Sequence, residues 1–376
     1  MSEKEKIVDE LLTRRVEGEM AYPSKEVVRE RLLGATPLVV YWGIDPTAPE
    51  IHLGHTIALL FLKQLKALGH RPVVLIGDFT ARIGDPTDKA AARRSLTKEE
   101  VEGNMGHYID QITKILPRGS FEIRRNSEWL APMTLENVIG LASSATVQQM
   151  LARDMFQERM KQEKPIFIHE LLYPLMQGYD SVAMNVDGEV GGSDQTFNML
   201  VGRTLMKQLS GKEKIVFSLR LFADAADGKK MGKSEGNLIA ISDEPQEIRR
   251  KILMLDDKVV ATAFELCTEK DLDWIGEHAQ GDPRQFKEEL AEELVRMYHG
   301  QGAVERATQD KEMAIRGQSL DKGLVTAGVA PTMSAAHQLI DQGGVEIDGQ
   351  KIKEWKYVLK EGERLKVGKG KFLKVS

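Results

Sequence analysis

Tyr41-Trp42-Gly43-Ile44-Asp45-Pro46-Thr47-Ala48-Pro49-Glu50-Ile51-His52-Leu53-Gly54-His55 joins a strand-like run to a helix-like one. Upstream, Pro37-Leu38-Val39-Val40-Tyr41 reads as a buried strand. Downstream, residues 56–68 carry apolar side chains at helical spacing until Gly69 stops them. The H-x-G-H tetrapeptide therefore falls on the first turn of a helix. Backbone N–H groups without intrahelical partners and the positive end of the helix dipole gather there, which favours an anion, and Gly54 clears the approach for a nucleotide. On its own the tetrapeptide proves little, since two histidines in four residues are more often ordinary surface or core residues than catalysts, so a second nucleotide-binding element is required.

Working outward, residues 37–41, 72–77, 120–124 and 215–218 read as strands that alternate with helices. That is the pattern of an α/β fold with a doubly wound, largely parallel sheet covered on both faces. In such sheets ligands bind beyond the carboxyl ends of the strands.

The second element is Asp227-Gly228-Lys229-Lys230-Met231-Gly232-Lys233-Ser234-Glu235-Gly236-Asn237, a glycine-flanked, lysine-rich stretch suited to anions. The two together resemble the HIGH and KMSKS signatures of class I aminoacyl-tRNA synthetases, with Leu53 in place of the isoleucine and Gly232 in place of the first serine. A third stretch, Leu172-Tyr173-Pro174-Leu175-Met176-Gln177-Gly178-Tyr179-Asp180, sets Tyr173, Gln177 and Asp180 at helical spacing on one face. It is followed by Gly191-Gly192-Ser193-Asp194-Gln195. With Tyr41, this set is similar to the bacterial tyrosyl-tRNA synthetases over nearly the whole chain. The tryptophanyl enzymes share the Tyr-Pro helix, but Gln177 and the Tyr41/Asp180 combination favour tyrosine. A phenolic hydroxyl donates to a carboxylate and accepts from another phenol.

The resemblance implies an ATP-dependent tyrosine–tRNA ligase. Tyrosine would be activated to tyrosyl-adenylate with release of pyrophosphate, then passed to the 3′ end of tRNA(Tyr), with Mg2+ accompanying the ATP and no tightly bound cofactor. It places Thr47, His52, His55, Lys230, Lys233 and Ser234 around the reacting phosphates, where charge stabilisation rather than a nucleophilic side chain is needed. Tyr41, Asp85, Tyr173, Gln177, Asp180 and Gln195 would hold tyrosine. Gly43, Asp45, His52, Gly54, His55, Gly192, Asp194, Lys230 and Lys233 would hold ATP, with Asp194 on the ribose. Lys89 and Arg93, in a loop where Asp88 stands in place of the family's usual glycine, are assigned to pyrophosphate or the tRNA acceptor end. A shorter H-x-G-H nucleotidyltransferase is the alternative enzyme class. A synthetase-derived RNA binder without activity is the other alternative, and the joint presence of the histidines, lysines and aspartates argues against it.

The 376 residues, 41% of them hydrophobic, suffice for a large core and smaller modules, and no apolar run is long enough to span a bilayer. The start is charged and unlike a signal peptide, and the single cysteine, Cys267, excludes an intrachain disulfide and a cysteine-cluster metal site. A cytoplasmic enzyme is expected, and the resemblance adds a homodimer. The net charge of -5 argues against indiscriminate nucleic-acid binding, so RNA contacts require a local basic surface. Residues 351–374 supply one: eight lysines and Arg364 against Glu354, Glu361 and Glu363. Residues 345–348, 357–359 and 364–367 are strand-like, 334–342 helix-like, and the region resembles the S4-type RNA-binding domain. Lys351, Lys353, Lys369 and Lys371 are its candidate RNA contacts, since its helix carries Ala335, Ala336, His337 and Gln338 where arginines are commoner. The expected domains are a Rossmann-like catalytic domain (1–225), a KMSKS-type loop and linker (226–243), a helical anticodon-binding domain (244–317) and the S4-type domain (318–376).

Overall fold

The computed structural model describes residues 2–87, 96–222, 238–308, 311–368 and 371–376. The chain divides into two compact units. One is built from the described residues up to 222 with 238–242 and 262–272, the other from 243–261 and from 273 onward.

The first unit is organised on a six-stranded sheet of β1 (Val16–Tyr22), β2 (Val39–Ile44), β3 (Arg71–Ile76), β4 (Glu122–Arg125), β5 (Gly188–Gly192) and β6 (Ile215–Leu219), in the order β1-β6-β5-β2-β3-β4. Every pairing is parallel except β1 with β6. The four strands expected from hydrophobic runs are β2, β3, β4 and β6. The antiparallel edge β1 and the inner strand β5 are additions. β5, Gly-Glu-Val-Gly-Gly, lacks an apolar run because its glycines are fixed by space. A Cβ at Gly188 would come within 2.9 Å of Ile215, and one at Gly191 within 3.0 Å of the Met199 sulfur.

From β2 the chain winds outward through β3 to β4, whereas β5 and β6 lie on the other side of β2. The winding direction thus reverses between β2 and β5, and the crevice at their carboxyl ends is where such a sheet binds ligands. The helix Leu53–Ala67 starts just beyond β2 and buries Leu59, Leu60, Phe61, Leu62 and Leu65. These consecutive positions point to all sides, so the middle of the helix is buried all round, and at about 1.5–3 kcal/mol for each large apolar side chain this burial anchors the helix start over the crevice. The helices Ile168–Met184 and Thr196–Ser210 cross closely at Gly178 and Gly202, where a Cβ on Gly178 would lie 3.0 Å from the Gly202 nitrogen.

The second unit contains the helices Pro245–Leu253, Pro283–His299 and Gln301–Thr308, the first two joined by a forked pair from Arg249 to Glu288 at 2.7 and 2.6 Å. A five-stranded sheet follows, built from β7 (Lys311–Met313), β8 (Val345–Ile347), β9 (Gln350–Lys351), β10 (Arg364–Val367) and β11 (Lys371–Val375) in the order β7-β11-β10-β8-β9. Its core of Leu320, Leu324, Ile340, Val345, Leu365 and Val375 also takes in the helices Leu320–Thr326 and Met333–Asp341. Residues 357–359, expected as a strand, form only an isolated bridge between Val358 and Ser319. Leu359 is drawn into the core beneath Gly323 instead, and Val358 stays exposed.

Candidate active site

His52 is the N-cap of the helix that follows β2. Its Nδ1 accepts from the Gly54 N–H at 3.2 Å, and His55 Nδ1 accepts from the His52 N–H at 3.2 Å. The remaining donors of this turn are also used: Leu53 N–H bonds the Ile239 carbonyl at 2.9 Å and His55 N–H the His52 carbonyl at 2.8 Å. The expectation of unpaired backbone N–H groups is therefore corrected, because the histidines and residue 239 satisfy them. With both Nδ1 atoms accepting, each ring in its neutral form carries its proton on Nε2, so the helix start presents two side-chain donors. The rings stack at 3.8 Å. Burial pulls the pKa of His52 down to about 4 and that of His55 well below the ordinary histidine value, so both are neutral near pH 7. Gly54 serves the ring itself, since a Cβ would come within 3.1 Å of the His52 side chain.

Asp45, just past β2, accepts from the hydroxyls of Thr80 at 2.7 Å and Tyr173 at 2.9 Å. A Cβ on Gly77 would overlap its Oδ1. Burial raises its pKa to about 7. Thr47, two residues on, is exposed and its N–H bonds the Asp45 carbonyl.

Tyr173, Gln177 and Asp180 do share one helix, and the structure brings Tyr41 to the same place. Asp180 is buried and accepts from Trp129 Nε1 at 2.7 Å and Asn126 Nδ2 at 3.3 Å, and burial raises its pKa well above the usual carboxylate range. These two bonds give Asp180 a structural part beside the ligand contact expected of it. Beside it on the helix, Ser181 Oγ lies 3.0 Å from the Tyr41 hydroxyl. Gln177 Nε2 bonds Glu189 at 3.1 Å, and Asn198 Nδ2 bridges the side-chain oxygens of Gln177 and Gln195 at 2.9 Å each. Gln195 Nε2 reaches Asp85 at 2.7 Å and Thr87 at 3.0 Å. Asp85, Gln177 and Gln195 thus form one connected line of polar groups. Gly192 and Asp194 stand at the end of β5, where a Cβ on Gly192 would lie 2.5 Å from Asp194 Oδ1. Gly43 lies on β2.

Lys230, Lys233, Ser234, Lys89, Arg93 and Lys369 lie outside the described residues. Lys371 falls on β11, and Lys351 and Lys353 are exposed at and after β9 in the second unit. His337 bonds the buried carboxylate of Asp321 at 3.0 Å and stacks on Trp355 at 4.0 Å, and is thereby engaged within its own domain.

Several site residues had no sequence signal. Asn126 and Trp129 follow β4 and hold Asp180. Arg153 extends its guanidinium over the Phe197 ring at 4.9 Å, within electrostatic reach of Asp85, Tyr173 and Asp194, and its buried Nη1 has no hydrogen-bond partner among the described residues. Glu189 and Lys214 form a buried ion pair. Only the adjacency of Ser181 to Asp180 and of Glu189 to the Gly191-Gly192 turn hinted at any of them.

Residues 34–314 match the family model of class I tRNA synthetases (W and Y), and residues 318–365 match the S4 domain. The chain is 41% identical to the tyrosine–tRNA ligase of Burkholderia lata over 98% of its own length and 93% of that protein. It is 40% identical to the tyrosine–tRNA ligase of Carboxydothermus hydrogenoformans, covering 94% of each. Among solved structures, the mitochondrial tyrosyl-tRNA synthetase of Aspergillus nidulans, C-terminally truncated, superposes with a TM-score of 0.66 at 23% identity, over 80% of this chain and 92% of that one. The tyrosyl-tRNA synthetase of Archaeoglobus fulgidus, complexed with L-tyrosine, gives 0.62 at 22% identity, over 80% and 99%.

Proposed function

The chain belongs to the class I tRNA synthetases of the tryptophan and tyrosine type, and we infer that it is a tyrosine–tRNA ligase. It joins the carboxylate of L-tyrosine to the α-phosphorus of ATP, releases pyrophosphate, and transfers the tyrosyl group to the 3′ end of tRNA(Tyr). The observation that carries the choice of amino acid is the buried Asp180, held by Trp129 and Asn126, with the Tyr41 hydroxyl close by. A phenol satisfies both groups at once. An indole N–H can only donate, and phenylalanine can do neither. The full-length relatives named as tyrosine–tRNA ligases support the same choice.

In this reading His52 and His55 offer their Nε2 protons to the ATP phosphates as charge moves onto the leaving group, and Lys230, Lys233 and Ser234 add contacts that strengthen in the transition state. Thr47 borders the phosphates, Gly43 and Gly192 admit the nucleotide, and Asp194 takes the ribose. Asp45 orients Tyr173. Asp85, Tyr173, Gln177 and Gln195 receive the ammonium and carboxyl end of tyrosine. ATP enters as its Mg2+ complex. The second step needs no further nucleophile from the protein, since the terminal adenosine attacks the activated carbonyl and alignment supplies the acceleration.

The S4 domain, with Lys351, Lys353, Lys369 and Lys371, and the segment bearing Lys89 and Arg93 are assigned to tRNA, and residues 244–317 to the anticodon arm. A homodimer is supported by exposed apolar side chains on the first unit, Leu135, Ile139, Phe167 and Ile168, the last 79% exposed. A cytoplasmic location is inferred from the tRNA-ligase reading; separately, no helix among the described residues is long and apolar enough to cross a membrane. Tyrosine-dependent ATP–pyrophosphate exchange, with tryptophan and phenylalanine as controls, tests the assignment. Exchange that tryptophan or phenylalanine drives as well as tyrosine would overturn it.

A further inference from the structure

Lys214 immediately precedes β6 and is fully buried, an expensive place for an ammonium. The fold makes room for it deliberately. A Cβ on Gly202 would come within 2.6 Å of its Nζ, and the Gly178–Gly202 crossing brings the two helices close enough to enclose it. Its Nζ donates to Glu189 on β5 and to Ser181 Oγ at 2.7 Å, and lies 5.9 Å from the centre of the Tyr41 ring. Glu189 is the register partner of Tyr41 across β2 and β5. Burial lowers the Lys214 pKa while Glu189 opposes that shift.

The proton count around Ser181 gives this cluster a direction. Ser181 accepts from Lys214, so its own proton can go to the Tyr41 oxygen at 3.0 Å or to Glu189 Oε2 at 3.4 Å. At 3.4 Å the Glu189 contact is long for an O–H donor, so the 3.0 Å Tyr41 contact takes the proton. Tyr41 then accepts from Ser181, which frees its hydroxyl proton for a second acceptor: the Glu189 carboxylate, which also acts on this hydroxyl, or the hydroxyl of a bound tyrosine.

We propose that Lys214, neutralised by Glu189, is a positioning residue for amino-acid selection: it heads a one-way hydrogen-bond chain, Lys214 to Ser181 to Tyr41 to the substrate hydroxyl to Asp180. The inference rests on the tyrosine-ligase reading above and adds to it what makes Tyr41 a donor rather than an acceptor. A chain running from an ammonium to a carboxylate polarises each hydroxyl in the same sense, so the bonds strengthen one another. The substrate hydroxyl closes the chain, whereas phenylalanine interrupts it at its centre.

The test compares the parent enzyme with Ser181→Ala and with the double variant Lys214→Met/Glu189→Gln, which removes both buried charges at near-constant volume. The readout is kcat/KM for ATP–pyrophosphate exchange with tyrosine and with phenylalanine. For each variant tyrosine should lose about 10- to 100-fold, mainly through KM, as expected for a lost hydrogen bond to a polarised group, while phenylalanine changes by less than about 3-fold. Combining the changes should add little to either alone, because they break the same chain. Equal losses for tyrosine and phenylalanine, or an unchanged ratio, would overturn the proposal by reducing the pair to a structural role. Should the double variant fail to fold, Ser181→Ala decides alone. A parent enzyme that shows no preference for tyrosine would instead refute the underlying reading.

Discussion

Replacing Asp180 by asparagine isolates the carboxylate from its structural bonds. The parent carboxylate accepts from Trp129 at 2.7 Å and Asn126 at 3.3 Å, and its remaining lone pairs are available to the substrate hydroxyl. In Asp180→Asn the amide oxygen can still serve Trp129. The amide nitrogen then faces Asn126 Nδ2, which cannot turn away because it also donates to Thr80 at 2.8 Å while its oxygen accepts from Phe79 N–H at 3.0 Å. One strained donor–donor contact costs about 1–2 kcal/mol of stability, a fall of a few °C in Tm. For catalysis the loss is larger, because a charge-assisted bond worth about 1.5–3 kcal/mol disappears and an amide donor meets a phenolic proton. Together these amount to about 3–5 kcal/mol, or about 10²- to 10⁴-fold in kcat/KM for tyrosine. Phenylalanine never used that bond, so its kcat/KM should change by less than about 5-fold. Steady-state exchange with both amino acids, alongside a thermal melt, reads all three quantities. A common fall for tyrosine and phenylalanine would show that Asp180 acts only by holding Trp129 and Asn126, and the pocket assignment would fail.

Lys230→Ala or Lys233→Ala should slow adenylate formation by about 10²-fold or more while leaving equilibrium tyrosine binding nearly intact, a split that stopped-flow and equilibrium titration resolve; a pure binding defect would count against the transition-state role. The depressed pKa values of His52 (about 4) and His55 contribute stability that is present above pH 6.5 and lost as pH falls through the folded values, whereas Asp45, raised to about 7, contributes stability that is present below pH 3.8 and lost as pH rises through 7. The signs oppose between pH 4 and 6.5, so Asp45→Asn should steepen the rise in unfolding free energy over that interval by about 1 kcal/mol, after discounting for partial exposure, and identical pH slopes in urea titrations would refute the shift. A chain ending near Gly317 should keep tyrosine-dependent exchange but charge tRNA poorly, and its tRNA affinity should fall less steeply with salt than that of the intact protein. Equal salt slopes and equal charging would make the S4 domain a passive cap.

The parts of this protein that hydrophobic pattern specifies were legible in its sequence. β2, β3 and β6 are buried apolar runs, and the helix Leu53–Ala67 is marked by its apolar Leu59, Leu60, Leu62 and Leu65. β5 was not legible, because Gly188 and Gly191 answer to Ile215 and Met199, neighbours that exist only after folding. β1 was hidden similarly: Val16-Glu-Gly-Glu-Met-Ala-Tyr22 has a register break between Val16 and Ala21 and a left-handed Gly18, so its alternation is interrupted. In the site, residues next to a motif could be named from spacing. Asn126, Trp129, Arg153 and Lys214 could not, since what selects them is a buried partner supplied by a distant segment. The histidines show a subtler gap, because the sequence placed them at an anion-favouring helix start but not their use of Nδ1 to cap it.

That capping fixes how the two substrates divide the site. The two histidines are neutral, and the nearby carboxyl groups Asp45, Asp85, Asp180 and Asp194 outnumber Arg153 and a Lys214 already committed to Glu189. Burial raises the pKa of Asp45, Asp85 and Asp180 and so disfavours their charged forms, and with neutral histidines the site also offers a triphosphate little fixed positive charge. On the proposed reading, charge to offset the phosphates would come from the Mg2+ that travels with ATP and from Lys230 and Lys233, far along the chain from H-x-G-H. That reading predicts that tyrosine binds before the phosphates are gripped and that the lysines act where negative charge builds on the departing pyrophosphate. The same separation predicts that changes along the proposed line from Lys214 to Asp180 alter selection of the side chain while leaving the phosphate machinery intact.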